Sequence, residues 1–119
     1  MVDKVNLAAK LAAVDGPWQP KIVAELNDAH VRIAKIEGEF ICHHHDDEDE
    51  LFWVVAGRMR MQFRDGDVDV EPGELIVVPR GVEHCPDAVE ETEVLLIEPD
   101  RTPNTGDAGG SMTAEPRMV

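Results

Sequence analysis

Residues 42–50 read CHHHDDEDE, so three consecutive histidines lie beside the densest acidic run of the chain. Side chains alternate between the two faces of a β-strand, and His43 and His45 therefore share one face. Glu50 begins the next apolar run, ELFWVVA, and brings a carboxylate beside the histidine pair. This spacing predicts that all three side chains point toward one small volume.

A fourth potential ligand, His84, follows the Pro79-Arg80-Gly81 corner, from which it can approach on another strand. Three imidazole nitrogens and one carboxylate oxygen suit a divalent transition metal ion and leave one or two coordination positions open. Fe, Mn, Ni, Cu and Zn all fit this ligand set. The sequence therefore predicts one metal ion, of unknown identity, held by four side chains: His43, His45, Glu50 and His84.

The two cysteines each neighbour a predicted ligand, which suggests a Cys2His2 zinc site as an alternative. Strand alternation opposes it, because the neighbour of an inward histidine points outward. For the same reason His44 is expected at the surface. The sequence does not show whether Cys42 and Cys85 lie close together, and a cytoplasmic setting would keep their thiols reduced.

Short runs rich in β-branched residues, separated by Pro, Gly, Asn and Asp, indicate an all-β sandwich or barrel. A short N-terminal helix is expected over about residues 6–14, and the barrel over about 20–98, so residues 1–98 form a single domain. The composition then shifts to Pro, Gly, Thr and Asp. Residues 99–119 are predicted to be a flexible C-terminal tail, or an arm that becomes ordered only against a partner.

Charge and hydropathy exclude several classes of partner. The 119 residues carry a formal net charge of −14, and such a field repels phosphate backbones and anionic lipid. No apolar run approaches the roughly 20 residues that a membrane span needs. Because the N-terminus also lacks the pattern of a secretory signal, we expect a cytoplasmic protein that binds neither nucleic acid nor membrane.

Two spaced motifs bracket the predicted ligands. They read His43-x-His45-x4-Glu50-x6-Gly57 and Gly73-x5-Pro79-x-Gly81-x2-His84. The first motif resembles the first motif of the cupin family, and the second resembles its second motif. The short spacer between them is similar to that of compact bacterial single-domain cupins. The amino-acid sequence around both motifs resembles that of the subgroup labelled mannose-6-phosphate isomerase-like.

The resemblance implies an antiparallel double-stranded β-helix, the jelly-roll or cupin barrel, with a metal ion inside and usually a dimeric assembly. Carried over by position, the implied ligands are the four side chains predicted above. The residues themselves also favour a homodimer. The runs 51–54 and 75–78 are apolar on both strand faces, so the outward face is expected to pack against a second sheet or another subunit.

The predicted function is a metal-dependent enzyme of isomerase, lyase or dioxygenase type that acts on a small metabolite. The alternative is a non-catalytic cupin that binds or senses a small ligand or metal. Sugar-phosphate isomerisation is a weaker third hypothesis, because a phosphate requires clustered basic residues. Strand alternation places Met59, Met61 and Phe63 inward; only the reverse parity would line the cavity with the three neighbouring arginines, Arg58, Arg60 and Arg64.

Overall fold

The computed structural model describes residues 2–118, which form a short helix followed by eight strands. The elements are α1 Leu7–Ala12, β1 Lys21–Leu26, β2 Ala29–Glu39, β3 Glu50–Ala56, β4 Met59–Phe63, β5 Gly66–Val70, β6 Leu75–Val78, β7 Cys85–Pro99 and β8 Arg117–Met118. This set of elements confirms the predicted all-β class with one N-terminal helix.

The helix begins where the sequence predicts and ends earlier. Asn6 caps it, because its Oδ1 accepts a hydrogen bond from the Ala9 N–H at 3.0 Å. Leu11 and the following Val14 are buried against Val23 and Ile33 of the first two strands, which anchors this short helix through packing. No helix among the described residues is long and apolar enough to cross a membrane.

The sheet is organised around the long strand β7. Its 15 residues pair antiparallel with β2, β3 and β4 along different parts of its length. The strand order is β5-β4-β7-β2-β1-β8, and β6 joins through β3. The sheet folds over one apolar cluster that contains Phe52, Val54, Met59 and Met61, as the predicted double-stranded β-helix requires.

Strand β4 shows which face the arginines occupy. Met59 and Met61 are fully buried in the apolar cluster, as predicted, whereas the alternating arginines point to solvent. The arginines form ion pairs at the surface: Arg58 with Glu71, Arg60 with Asp69 and Arg64 with Glu83. The reverse parity, which would have lined the barrel with arginine, does not occur.

The outward faces of β3 and β6 carry exposed apolar side chains. Trp53 is 40% exposed, and Leu75 and Val77 are each 54% exposed. The two strands are direct neighbours in the sheet, where Trp53 pairs with Leu75 and Leu51 pairs with Val77. These side chains therefore form one apolar patch, which we call the β3–β6 face.

The segment after β7, for which a flexible tail is predicted, makes several hydrogen bonds to the barrel. Thr102 and Thr105 are buried, and the guanidinium of Arg32 donates a hydrogen bond to the Thr102 carbonyl at 2.8 Å. The side chain of Asp107 accepts a hydrogen bond from the His44 N–H, also at 2.8 Å. Further along, β8 pairs in parallel with β1. Hydrogen bonds to the buried guanidinium of Arg32 and to the exposed backbone of His44 thus hold this segment, although its composition is polar.

One glycine of this segment makes a close approach to the barrel. Gly106 has φ +54°, and a Cβ at this position would collide with the carbonyl oxygen of His44 and contact the ring of His43 at 2.8 Å. Only glycine accommodates both the backbone conformation and the proximity. Gly109 has a similar φ of +59°, but a Cβ there would meet nothing within 4 Å.

We expect Gly106→Ala to lower the free energy of unfolding by about 1–3 kcal/mol more than Gly109→Ala. Both variants introduce the strain of a left-handed backbone, but only the first also displaces the neighbouring histidine segment. Urea denaturation of the two purified variants measures the difference. Equal losses would contradict the close packing of this segment on the barrel.

Candidate metal centre

An isolated β-bridge joins the two histidine segments. The His43 N–H donates to the His84 carbonyl at 3.0 Å, and the His84 N–H donates to the His43 carbonyl at 2.8 Å. Paired residues of an antiparallel bridge place their side chains on the same face. The two imidazole rings therefore lie side by side, with ring centroids 4.4 Å apart.

Two further side chains complete the cluster. His45 lies two residues after His43 and so returns to the same face, while Glu50 is the first residue of β3. One nitrogen from each of the three histidines and one Glu50 oxygen all lie within 4.8 Å of one another. All four residues are at most 3% exposed. The structure thus brings together the four ligands predicted from the sequence, His43, His45, Glu50 and His84.

Local carbonyl groups orient two of the imidazoles. Nδ1 of His43 lies 2.8 Å from the Ile41 carbonyl oxygen, and Nδ1 of His84 lies 2.9 Å from the Val82 carbonyl oxygen. A carbonyl only accepts hydrogen bonds, so each Nδ1 carries the proton. Each Nε2 consequently keeps a free lone pair, which is the tautomer that a metal-binding histidine needs.

Several polar atoms of the cluster have no hydrogen-bond partner within the described chain. They include Nε2 of His45, Nε2 of His84 and Oε1 of Glu50, all of them fully buried. The Glu50 oxygen lies 3.3 Å from each of these two nitrogens. Ligand atoms about 2.0–2.2 Å from a shared ion are separated by about 3 Å or more, so this arrangement fits one metal ion. A bound ion would also satisfy polar atoms that are otherwise costly to bury.

The electrostatics of His43 favour the neutral form that binds metal. Burial is the main cause that lowers the pKa of His43 from 6.5 to about 4, although the hydrogen bond to the Ile41 carbonyl raises it. The neighbouring imidazoles of His84 and His45 lower it further. At neutral pH this ring is therefore uncharged and available as a ligand.

A buried contact between Arg32 and Glu98, behind Glu50, was not predicted from the sequence. Arg32 is 0% exposed, and its Nη1 donates a hydrogen bond to Oε1 of Glu98 at 2.8 Å. The same guanidinium donates to the carbonyls of Thr102 and Asp100. Strand alternation is the signal that identifies both charged residues as inward, because Arg32 shares a face with Ala34 and Ile36, and Glu98 with Val94 and Leu96.

The carboxyl groups of Glu50 and Glu98 lie close together, and their pKa values move in opposite directions. Burial and the charge of Glu50 raise the pKa of Glu98 well above its usual range, despite Arg32. Burial also acts to raise the pKa of Glu50, but the contacts with Glu98, His45 and His84 outweigh it and lower that pKa. Glu50 is therefore the more acidic of the two carboxyl groups.

A small cavity of about 50 Å³ adjoins the cluster. Its polar lining residues are His43, Glu50, Glu98 and Asn104, and the remainder of the lining is apolar. Both ends of the Asn104 amide are already engaged, since it donates to the Met112 carbonyl and accepts from the Ala114 N–H. The apolar walls include four large side chains: Trp18, Phe40, Phe52 and Met59.

The outward neighbours of the ligands behave as strand alternation predicts. His44 lies at the surface, where its ring contacts the carboxylates of Asp46 at 2.8 Å and Asp107 at 3.3 Å. Cys42 and Cys85 face each other across the sheet and form a disulfide, with Cα atoms 4.2 Å apart. The cysteines are therefore not metal ligands. Their disulfide also corrects the expectation of reduced thiols.

We expect His45→Ala to abolish metal retention and His44→Ala to leave it unchanged. The first substitution removes a buried ligand, whereas the second removes an imidazole that contacts only surface carboxylates. Inductively coupled plasma mass spectrometry of the two variants, each purified without a histidine tag, gives the metal content per chain. Equal loss of metal in both variants would contradict the assigned orientation of the histidine run.

Comparison with known proteins supports the same fold. A protein of Bacillus subtilis strain 168, "Uncharacterized protein YdbB", is 35% identical over 77 residues, which cover 64% of this chain and 68% of that protein. The acireductone dioxygenase of Pseudomonas fluorescens is 31% identical over 117 residues, 90% of this chain, but the chain spans only 61% of that enzyme.

A crystal structure of a cupin-2 domain containing protein from Shewanella frigidimarina is 41% identical to this chain. It superposes with a TM-score of 0.79 over 80% of this chain and 93% of the other. The cupin domain profile itself matches residues 29–98, a range that contains all four residues of the cluster as well as Arg32 and Glu98. The chain therefore belongs to the cupin domain family.

Proposed function

We propose that this protein holds one divalent transition metal ion, Fe, Mn, Ni, Cu or Zn, at His43, His45, Glu50 and His84. We propose further that it is a metal-dependent enzyme that acts on a small metabolite. The observation that carries this proposal is the convergence of four buried ligand atoms beside a mostly apolar cavity. Four protein ligands leave one or two positions open for a substrate atom.

The metal would supply Lewis-acid polarisation of a carbonyl or enolate oxygen and, if it is iron, reactivity toward dioxygen. The chain's own residues provide the setting for this chemistry. The carbonyls of Ile41 and Val82 hold two imidazoles in the ligand tautomer. Phe52, Met59 and the other apolar walls exclude water around the substrate, which strengthens electrostatic interactions in the site.

Among the three reaction types considered, we favour a dioxygenase. The similarity to acireductone dioxygenases supports this choice, although the chain spans only part of their length. Sugar-phosphate isomerisation has less support, because no lysine or arginine occurs among the described residues that line the cavity. Arg58, Arg60 and Arg64 lie outside the barrel, where they pair with carboxylates.

The alternative is a non-catalytic cupin that binds or senses a small ligand or metal. One observation favours it. The cavity offers no independent acid–base pair, since the three histidines and Glu50 serve as ligands and the Asn104 amide is engaged within its own segment. An enzyme of this kind would depend on the metal and on Glu98 alone.

Loading with cobalt(II), followed by titration with azide, separates these possibilities. We expect about one cobalt per chain, no uptake by His84→Ala, and a change in the visible spectrum when azide occupies an open position. Failure of the folded wild-type protein to take up metal would contradict the metal centre. Uptake of cobalt without any response to azide would instead support the non-catalytic alternative.

We also propose that the protein forms a homodimer through the β3–β6 face. Trp53, Leu75 and Val77 present a contiguous apolar patch in the isolated chain, and a large exposed patch of this kind is typical of protein interfaces. A second copy of the same surface would cover it with matching apolar side chains, as two-fold symmetric interfaces do.

Light scattering coupled to size-exclusion chromatography tests the dimer. We expect a particle of twice the 13.2 kDa chain mass at micromolar concentration, and a shift toward the single-chain mass for Val77→Asp. Val89→Asp is the matched control, because Val89 is 97% exposed and lies on β7, outside the β3–β6 face. A wild-type particle of 13.2 kDa would exclude the dimer.

A further inference from the structure

The cavity beside the metal cluster opens to solvent between the two terminal segments of the chain. Trp18 and Asn104 are partly exposed, whereas every other described residue of the lining is buried. Trp18 precedes β1, and Asn104 follows β7. These two side chains therefore border the opening through which a ligand would enter.

Both residues at the opening lie outside the matched cupin domain, which covers residues 29–98. The four residues of the metal cluster and most of the cavity walls lie inside it. Access to the cluster is thus shaped by segments that this chain carries before and after the domain. Features that select the ligand are to be sought in these segments.

Three contacts hold Trp18 in one position at the opening. Its backbone N–H donates to the Lys35 carbonyl at 2.8 Å, and its indole Nε1–H donates to the Glu37 carbonyl at 3.0 Å. Its ring stacks on Phe40 with centroids 4.6 Å apart. Trp18 also has φ +63°, a conformation that a non-glycine residue keeps only where its surroundings fix it. The indole is therefore a fixed wall of the cavity.

This wall is apolar and lies close to the metal cluster. Phe40, on which the indole stacks, meets the ring of His43 edge-on with centroids 5.6 Å apart. The indole N–H is already donated to Glu37, and both ends of the Asn104 amide are hydrogen-bonded within its own segment. A ligand bound to the metal consequently meets an apolar surface at the opening.

We propose that Trp18 sets the upper size of the ligand, and that the ligand is a small aliphatic compound that binds the metal through oxygen. This proposal rests on the metal centre proposed above. With about 50 Å³ of space, the cavity admits a molecule of a few non-hydrogen atoms. An aromatic or sugar ring behind the metal-binding group would have to displace Trp18 from the contacts that fix it.

A pair of matched anions tests this size limit. Acetate and benzoate present the same carboxylate to a metal and differ only in the group behind it. We expect acetate to bind the cobalt-loaded wild-type protein at least about tenfold more tightly than benzoate, because forcing extra volume into a packed site is unfavourable. The visible spectrum of cobalt reports both titrations without any assay of activity.

The Trp18→Ala variant identifies the residue responsible. Removal of the indole opens space behind the carboxylate, so we expect the affinity for benzoate to rise at least about tenfold and that for acetate to change little. Leu7→Ala is the matched control. Leu7 packs helix α1 onto the barrel but does not line the cavity, so this variant loosens the same N-terminal segment without removing the wall. The control should keep the preference of the wild type.

The outcomes separate this proposal from the metal centre. Equal affinities for acetate and benzoate, or failure of both to bind a wild-type protein that still responds to azide, would overturn the size limit and leave the metal centre intact. An unchanged preference in folded Trp18→Ala, or an equal gain for benzoate in Leu7→Ala, would overturn the role of Trp18. Failure of the wild type to take up cobalt would contradict the metal centre and this proposal together. If Trp18→Ala fails to fold, Trp18→Leu, which keeps an apolar side chain, decides by the same comparison.

Discussion

The burial of four potential metal ligands at one point inside an apolar barrel is the constraint on which the rest of the structure depends. Three imidazoles and a carboxylate in such a place are costly unless each polar atom finds a partner. The backbone supplies part of the solution, because the bridge between His43 and His84 sets the spacing of the two segments. Local carbonyls then fix the protons of both rings on Nδ1. The lone pairs that remain converge on a volume where one bound cation would satisfy them together.

A second set of buried polar side chains lies behind the four potential metal ligands. Arg32 donates a hydrogen bond to Glu98 in the interior, and its remaining hydrogen bonds go to carbonyl groups of the C-terminal segment. Removal of the partners of a buried guanidinium leaves an uncompensated charge, which is far more destabilising than loss of a surface ion pair. The arrangement also joins the metal cluster to the segment after β7. That segment is therefore part of the architecture of the site although it contributes no metal ligand.

Strand alternation accounts for most of what the sequence alone could predict. It places His43 and His45 together, separates them from His44, and directs the methionines of β4 rather than its arginines inward. The same rule applies to Arg32 and Glu98, but the two residues are 66 positions apart, so only the pairing of β2 with β7 shows that each compensates the other. Local composition could not reveal that pairing.

Two other features were beyond the reach of sequence patterns for different reasons. The C-terminal segment is polar and rich in turn-forming residues, and this composition is typical of mobile tails. It is held by hydrogen bonds to residues distant in sequence, such as Arg32 and His44, which composition does not encode. The oxidation state of Cys42 and Cys85 depends on the redox environment and on their proximity across the sheet, and spacing reveals neither.

The Cys42–Cys85 crosslink has a consequence for the chain before the barrel has formed. It joins residues separated by 43 positions, each directly adjacent to a histidine of the candidate metal cluster. Even in an unfolded, oxidised chain, His43 and His84 are consequently kept at a high effective concentration relative to each other. Such a chain would already contain a two-nitrogen chelator before Glu50 and His45 are in place. An ion that also bound this unfolded state would contribute less to the stability of the oxidised protein than to that of the reduced one.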